Sequence, residues 1–433
     1  MDSELDKNFD PETCSLDELR RMIAMLEDEE EYFNTMQLSA KTFINSVYGV
    51  FGTAFFNLAN TDIAESITLQ GQHLIKYSVV KINDYVKEKW NQDVDGHRRI
   101  ADRMTKMFGD KFEREKFLGA AKTNRIMIDT MQVYGDTDSA YITMQPIIDA
   151  CYLPKEQELE FDLAFYDEVL EGYMDERFDE YAASFNCSKN LEKFELEKIS
   201  RTILLLAKKN YMCDVEWIDS GARFEPTAHI TYTGYDVVKG STPEYCRQEM
   251  KDFVTFVMTV LNTGRKPTLG EIVKRLIDIK KRFSMQSPND IAKSSSISNY
   301  ESFIKNDKTP QIEYYEYKSA LDANGQQIVT NEKLPVPIHV RAAAVYNNML
   351  FNKAKRYRSK YNLLKSGDKV RYYYTGPDTV FGFVPDLFPI EFAPKMDVDI
   401  QFEKMLLSPL NRIVVALGYN EIAPSLTYTP SLF

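Results

Sequence analysis

The sequence predicts an α+β protein with more than one domain. Its 433 residues are enough for two or three domains with a large core. Stretches with helical spacing of apolar residues lie towards both ends, and a block between them alternates apolar and polar residues as strands do. No apolar run is long enough to cross a bilayer, so we expect no membrane partner.

The formal net charge of -12 is concentrated in two acidic blocks. Residues 1–31 carry 12 acidic and 3 basic side chains, and residues 156–180 carry 11 acidic and 1 basic. The net charges of the two blocks are therefore -9 and -10, which leaves a net charge of +7 on the rest of the chain. Net charge does not exclude a DNA partner, because the distribution allows a basic surface outside the two blocks.

The cysteines and histidines are dispersed and form no paired spacing. This pattern does not predict a zinc site, a disulfide framework or a histidine-based nucleophile, and it favours a reducing, cytoplasmic environment. The five cysteines are Cys14, Cys151, Cys187, Cys213 and Cys246.

Helices are predicted on both sides of the central block. Ser15 and Glu18 form a capping box, and no proline or glycine follows Ser15 until Gly49, so one long helix is expected. Residues 91–124 are expected to be helical between turn signals at 95–96, 109–110 and 119. Further helices are expected over residues 61–90, in the acidic block 156–180, and over 244–261, 270–283 and 341–366.

Strands are predicted by alternating apolar residues. They are expected over residues 198–206, 211–217, 229–237 and 369–374. The serine-rich segment 289–300 is expected to be a loop, and a domain boundary is expected near residues 240–243.

Tyr134-Gly135-Asp136-Thr137-Asp138-Ser139 is the most informative stretch. Apolar strands on either side, over residues 125–133 and 139–144, predict a β-hairpin with two carboxylates at its tip. Two acids this close repel one another unless a cation shares them, which indicates a hard divalent metal such as Mg2+. A polar turn whose aspartates bond only their own backbone is the alternative, and both stay open from these residues alone.

Two shorter segments could contact nucleotides or DNA. Lys41, Asn45 and Tyr48 recur at helical spacing and place a cation, an amide and a phenol on one face. Lys208 and Lys209 follow an apolar strand and precede Asn210 and Tyr211. As adjacent residues on a strand, the two lysines are expected to point to opposite faces, so only one can enter a given groove. Each segment is also compatible with an ordinary exposed helix or strand end.

A basic run, residues 353–371, indicates phosphate binding. It contains eight basic residues against a single acid, Asp368, and tyrosines are interleaved. We favour DNA contact here over a solvated face, because the run is nearly of one sign. The basic residues are Lys353, Lys355, Arg356, Arg358, Lys360, Lys365, Lys369 and Arg371.

Taken in order, these segments resemble the C-terminal part of a family B DNA polymerase, and most of all the replicative polymerases of large tailed bacteriophages. The segment from Lys41 to Gly49 resembles the fingers motif that grips the incoming nucleotide, residues 134–139 the palm motif with a catalytic metal ligand, and residues 208–211 the motif that tracks the primer terminus. Segments 240–243, 289–293 and 337–341 resemble thumb landmarks of the phage group.

The resemblance implies a right-hand polymerase architecture. It implies a mixed α/β palm around the antiparallel hairpin, a helical fingers remnant and a mostly helical thumb. The expected domains are an acidic tail (1–14), the end of the fingers (15–60), the palm (61–239, with an insertion at 91–124), the thumb (240–424) and a C-terminal tail (425–433).

The resemblance also implies roles for individual residues in nucleotidyl transfer to a primer 3′-hydroxyl, with a deoxynucleoside triphosphate as substrate. Asp138 would bind two Mg2+ ions, and Asp136 would support the metal site or the primer end. Lys41 would neutralise the triphosphate, and Asn45 and Tyr48 would line the nascent base pair. The implied primer and DNA contacts are Lys208, Lys209, Tyr211, Thr137, Lys239, Ser241, Lys353, Arg356 and Arg358.

Several family features are missing from this sequence. The first palm motif, an Asp followed by Ser-Leu-Tyr-Pro-Ser, does not occur, and neither do the exonuclease motifs or a further basic fingers segment. Asp138 alone does not hold two Mg2+ ions well, because both need bridging carboxylates. The chain starts at Met1 with an acidic tail, as a natural start would. We therefore expect a split polymerase whose N-terminal half supplies the second catalytic Asp and the 3′–5′ exonuclease.

The expected partners are this N-terminal half and primer–template DNA, and the expected location is the cytoplasm of an infected bacterial host. Leu432 and Phe433 end an apolar tail of the kind that docks on a sliding clamp, with an ordinary frayed terminus as the alternative. A non-catalytic DNA-binding or scaffold remnant of a polymerase is the alternative for the whole chain.

Overall fold

The computed structural model describes residues 15–53, 55–57, 59–136, 138–303, 313–321 and 327–427, with side chains described outside 313–335. The chain divides into two compact units, Met1–Phe194 and Glu195–Phe433. The fold is mixed α and β with small antiparallel sheets, as the sequence predicts. The division falls inside the range predicted to be palm, and the assignment of ranges to fingers, palm and thumb stays a prediction, as does the right-hand arrangement.

The described residues of the first unit are mainly helical and include one hairpin. Its elements are α1 (Leu16–Phe51), α2 (Thr61–Asp84), α3 (Val94–Phe108), α4 (Arg114–Thr123), β1 (Gln132–Asp136), β2 (Ser139–Ile142), α5 (Gln145–Ala150), α6 (Glu158–Phe165) and α7 (Glu171–Ser184).

The start of α1 follows the predicted capping box. The Ser15 hydroxyl accepts from the Glu18 backbone N–H, and the Glu18 carboxylate accepts from the Ser15 N–H, so two donors left over by the helix are satisfied. The helix continues through Gly49 to Phe51, with Gly52 as its C-cap. Two turn signals were wrong: Gly119 lies within α4, and Gly96 lies in the first turn of α3, where the Asp93 carboxylate accepts from its N–H at 2.8 Å.

The core of the first unit is aromatic. Trp90, Phe117, Phe161 and Phe165 are fully buried and belong to one cluster. The acidic block forms α6 and α7, joined by a π-helical turn over Tyr166–Leu170. Its aromatic residues pack into the core while acids such as Glu176 remain exposed, which confirms the predicted amphipathic helix.

The second unit surrounds a larger core with two three-stranded sheets and a separate hairpin. The sheet orders are β3-β4-β5 and β10-β9-β6, and β7 pairs with β8. The elements are β3 (Lys198–Ala207), β4 (Asn210–Ile218), β5 (Ile230–Thr233), α8 (Glu244–Leu261), α9 (Leu269–Phe283), α10 (Pro288–Ile291), β6 (Lys293–Ser296), α11 (Tyr300–Phe303), β7 (Glu313–Leu321), β8 (Gln327–Pro335), α12 (Ile338–Asn352), β9 (Lys369–Tyr374), β10 (Val380–Phe383), α13 (Val398–Phe402) and α14 (Ser408–Ala416).

The structure corrects two predictions in the second unit. The serine-rich segment predicted to be a loop contains β6. Its backbone pairs with β9, with Ser294 opposite Arg371. The strand is therefore formed by backbone hydrogen bonds to a distant segment, which the serine side chains do not reveal. The helix expected over 341–366 ends at Asn352, and a single 3₁₀ turn, Lys355–Tyr357, follows it. Among the described residues, no helix is both long and apolar enough to cross a membrane.

Candidate active site

The paired carboxylates lie at the tip of a short antiparallel hairpin. β1 ends at Asp136, β2 begins at Ser139, and these two residues are paired. The Ser139 hydroxyl donates to the Asp136 carbonyl at 3.1 Å. Asp138 is exposed and Asp136 is half-buried. The predicted hairpin is therefore confirmed, although β1 begins only at Gln132 and is shorter than the expected strand.

The hairpin is tied to α2 at its open end. The Met131 N–H donates to the side-chain oxygen of Asn83 on α2 at 2.7 Å, and the Asn83 amide donates to the Thr130 hydroxyl at 3.2 Å. The Thr143 N–H donates to the Met131 carbonyl at 2.8 Å and extends the ladder by one bond. Met131 is buried in the core of the unit. The carboxylates are thus held at the far end of an anchored hairpin. The sequence carries no signal for the role of Asn83, since 48 residues separate it from Met131.

The two carboxylates of the tip have the chemistry of Mg2+ ligands. Two carboxylates one residue apart are hard oxygen ligands of the kind that Mg2+ prefers, and exposure of Asp138 leaves room for water and phosphate oxygens. Within the described ranges, no group of three or more His, Cys, Asp or Glu side chains could hold a metal ion. The carboxylates therefore fit a shared metal site and do not complete one.

The predicted nucleotide-binding residues lie on the C-terminal half of α1. Lys41, Asn45 and Tyr48 are exposed at spacings of four and three residues, so they share one face of the helix. The Tyr48 hydroxyl is 2.8 Å from the hydroxyl of Thr68 on α2, which fixes the position of the phenol. α2 contacts both α1 and β2, so it is a common neighbour of the two groups of predicted site residues.

Lys208 and Lys209 do not lie on a strand. β3 ends at Ala207 and β4 begins at Asn210, with these two residues paired, so the lysines form the tip of a second hairpin. Lys209 has a φ of 57°, in the left-handed region, and both side chains are exposed. The prediction that they point to opposite faces of a strand was wrong, because a turn follows the apolar run instead. Tyr211 is buried on β4, between Leu205 and Thr233, so it packs the sheet beneath the tip.

Gly234 is a residue that the sequence did not single out. It follows β5 with a φ of 65°, and a Cβ built on it would lie 2.0 Å from the carbonyl oxygen of Lys209. Only glycine fits this close approach of backbone to backbone. The lysine tip is therefore positioned by a third strand of its sheet.

The remaining predicted DNA contacts belong to the second unit. Lys239 is exposed and forms an ion pair with Asp236 at 3.0 Å, and the Ser241 carbonyl accepts from the Ser294 N–H at 3.1 Å. Lys353 is exposed. The Arg356 guanidinium lies 4.8 Å from the ring of Tyr357, and that of Arg358 lies 4.0 Å from the ring of Phe351.

In the folded structure, the surroundings of the basic run are less uniformly positive than its sequence indicates. Glu391 comes from later in the chain and pairs with Lys360 at 2.6 Å, while the Tyr361 hydroxyl donates to the same carboxylate. These bonds lower the pKa of Glu391 to about 2, so it stays ionised beside the run. Three predicted contacts, Thr137, Leu432 and Phe433, lie outside the described residues.

Comparison with known proteins gives a family match that includes the carboxylate hairpin, and matches to individual DNA polymerases. Residues 17–150 match the family model described as DNA polymerase family B. The chain is 26% identical over 293 residues to the DNA-directed DNA polymerase of Enterobacteria phage T4, covering 64% of this chain and 28% of that protein. It is 26% identical over 249 residues to that of Escherichia phage RB69, covering 54% and 24%.

A more distant match is the DNA polymerase catalytic subunit of Psittacid herpesvirus 1, 22% identical over 236 residues, covering 54% of this chain and 17% of that protein. The chain thus matches between 17% and 28% of the length of each of these relatives.

Proposed function

We propose that this chain carries part of the active site of a DNA-directed DNA polymerase that acts in phage DNA replication. The chain is related to the family B DNA polymerases, and among them to phage enzymes. The observation that carries the proposal is the anchored hairpin that presents Asp136 and Asp138 at its tip, within the residues matched by the family model.

The proposed reaction is nucleotidyl transfer. The primer 3′-hydroxyl loses its proton and attacks the α-phosphate of a deoxynucleoside triphosphate, a new P–O bond forms, and pyrophosphate leaves with the electron pair of the broken bond. Two Mg2+ ions would supply activation of the attacking oxygen and neutralisation of the leaving phosphates. Asp138 would be a ligand of both, and Asp136 would support the metal site or the primer end.

Positioning of the nucleotide would fall to α1. Lys41 is an exposed cation that can neutralise phosphate charge, while Asn45 and Tyr48 on the same face would line the nascent base pair. The bond from Tyr48 to Thr68 supports this role, because it holds the phenol in place before a substrate binds.

Contact with primer–template DNA would come from the second unit. Lys208 and Lys209 form an exposed basic tip over the buried Tyr211, and Lys239, Ser241, Lys353, Arg356 and Arg358 would add phosphate contacts. These are sequence-independent interactions, as a polymerase needs.

The second catalytic carboxylate would come from a polypeptide outside this sequence. The palm motif that begins with Asp and continues Ser-Leu-Tyr-Pro-Ser is missing here, and the described residues contain no three-ligand metal cluster. We propose a separate N-terminal half that shares the two Mg2+ ions and brings the 3′–5′ exonuclease. In the same scheme, Leu432 and Phe433 would dock on a sliding clamp and the complex would work in the cytoplasm of the infected host.

The lack of a complete ligand set also favours a second candidate, a DNA-binding or scaffold protein without catalysis. One experiment separates the two. The chain is mixed with a polypeptide that carries the missing palm motif, and Mg2+-dependent primer extension is measured. Extension by the mixture and not by either component supports the polymerase. No extension, or equal extension with Asp138→Ala, supports the scaffold.

A further inference from the structure

α1 is a long helix without a buried face. It extends for 36 residues, and none of them is buried. Its large apolar side chains are exposed, among them Leu16 at 73%, Phe33 at 58% and Ile44 at 67%. Helices in water are stabilised mainly by packing an apolar stripe against a neighbour. A helix of this length with so much exposed apolar surface indicates a face that another structure covers.

The apolar residues of α1 follow a heptad repeat along its whole length. Starting at Leu16 and advancing alternately by three and four residues gives eleven positions, which we call the α1 seam: Leu16, Leu19, Ile23, Leu26, Glu30, Phe33, Gln37, Ala40, Ile44, Val47 and Phe51. Nine of the eleven are apolar. This is the pattern of the a and d positions of a coiled coil, which places one narrow stripe towards one facing helix.

The charge around the seam indicates which helix fits. Residues 27–31 are five consecutive acids. Glu30 lies in the seam, and Glu27 and Glu29 occupy the e and g positions that flank it. A facing helix with Lys or Arg at this level would form ion pairs with them. A second copy of the chain in parallel register would instead bring Glu30 against Glu30, so self-association is disfavoured.

The seam does not overlap the predicted nucleotide-binding face. In the same register Lys41 and Tyr48 occupy e positions and Asn45 a b position. These lie beside the a/d stripe on one flank of the helix. A helix docked on the seam therefore passes beside Lys41 and Tyr48 without occupying their positions, leaves Asn45 outside the contact, and fixes the rotation of α1 about its own axis.

We propose that the α1 seam is the docking surface for the polypeptide that supplies the second catalytic carboxylate, through a helix with apolar heptads and basic residues opposite residues 27–31. This inference rests on the proposed polymerase function for the identity of the partner. The geometry of the seam and its charge determine how that partner binds.

The surface is tested first with synthetic probes. Two peptides of five heptads carry identical Leu and Ile residues at a and d. They differ only at the e and g positions that face residues 27–31, where one peptide has Lys and the other has Glu. Sedimentation of the full chain alone is expected to show a monomer, and in the presence of the Lys peptide it is expected to show one bound peptide. The Lys peptide should bind about tenfold or more tighter than the Glu peptide, and its affinity should fall as the salt concentration rises. Equal binding of both peptides, or a dimer of the chain formed through α1, would overturn the proposal.

Two matched variants locate the surface. Leu26→Asp lies in the seam, and Leu38→Asp removes a leucine that is also exposed (65% against 43% for Leu26) from a b position of the same helix. Leu26→Asp is expected to weaken binding of the Lys peptide about a hundredfold, whereas Leu38→Asp leaves it within about threefold. Neither leucine is buried, so both variants are expected to fold. Equal loss in the two variants would contradict the seam.

The same variants connect the surface to the partner. With the polypeptide that carries the missing palm motif, Leu26→Asp must abolish binding and primer extension together, while Asp138→Ala must abolish extension and keep binding. Binding through the seam without extension by the wild-type mixture would refute the proposed polymerase function and leave the docking surface intact. Binding unaffected by Leu26→Asp would overturn the docking surface alone.

Discussion

The two hairpin tips of this protein, acidic at residues 136–138 and basic at residues 208–209, are built by different means. The acidic tip stands on short strands, and its position depends on one asparagine of α2 that binds the backbone at the open end. The basic tip joins strands of ten and nine residues, and its turn is fitted against Gly234, which directly follows the third strand. The acidic tip is therefore positioned by contacts at the open end of its hairpin, and the basic tip by a contact at the turn itself.

The difference agrees with the roles proposed for the two tips. A metal-binding tip needs exposed carboxylates with open coordination positions, and Asp138 has this exposure. A tip that holds a DNA backbone needs only charge in a fixed place, which the long ladder and the close approach at Gly234 provide. Four substitutions test this comparison.

The largest effect is expected at the acidic tip. Asp138→Ala removes a carboxylate that would bind both metal ions, and primer extension by the chain with its partner should fall more than about a thousandfold. Asp110→Ala, at an exposed acid of the same unit, is the matched control and should retain activity. The measurement is the initial rate at saturating Mg2+. Activity of Asp138→Ala close to that of the control would contradict a catalytic role for the hairpin.

The next largest effect concerns the stability of the basic tip. Gly234→Ala forces a Cβ to within 2.0 Å of the Lys209 carbonyl at a positive φ, so the free energy of unfolding should fall by about 2–5 kcal/mol. Gly240→Ala is the control, because a Cβ there meets nothing within 4 Å. Urea-induced unfolding measures both variants. Equal midpoints would show that the third strand does not position the tip.

A smaller loss is expected at the base of the acidic tip. Asn83→Ala removes the acceptor of the Met131 N–H, which should destabilise the hairpin by about 1–2 kcal/mol. Amide hydrogen exchange over β1 and β2 should then be about tenfold faster, since each 1.4 kcal/mol changes an opening equilibrium about tenfold. Asn34→Ala, at an exposed asparagine of α1, should leave these amides unchanged.

The smallest effect is expected from one lysine of the basic tip. Lys209→Ala should weaken primer–template binding severalfold and lower the slope of log affinity against log salt by about 0.9. Lys209→Arg should preserve the slope because it preserves the charge, and Lys106→Ala, on α3 of the first unit, should change neither quantity. An unchanged slope in Lys209→Ala would exclude a phosphate contact at this position.

The acidic hairpin could be predicted from sequence because its signals are local. The turn residues of the acidic tip and the apolar residues beside it lie within about a dozen positions, so period and turn chemistry suffice. The same holds for the start of α1, whose capping box is complete within four residues.

The basic tip was predicted less well because its decisive contact is distant in sequence. Lys208 and Lys209 are compatible with a strand or a turn by composition, and the choice depends on the pairing of Ala207 with Asn210 and on Gly234. The strand over Lys293–Ser296 was missed for a similar reason, since its hydrogen-bond partners on β9 come some 75 residues later.

The sequence by itself determined where α1 begins, which residues carry the paired carboxylates, and the heptad pattern of the α1 seam, because capping, turn chemistry and periodicity act over a few residues. The tertiary structure decided which acids and lysines are exposed, which strand edges are paired, and that no residue of α1 is buried. Burial and edge pairing depend on residues that are distant along the chain, and only the folded backbone brings those residues together.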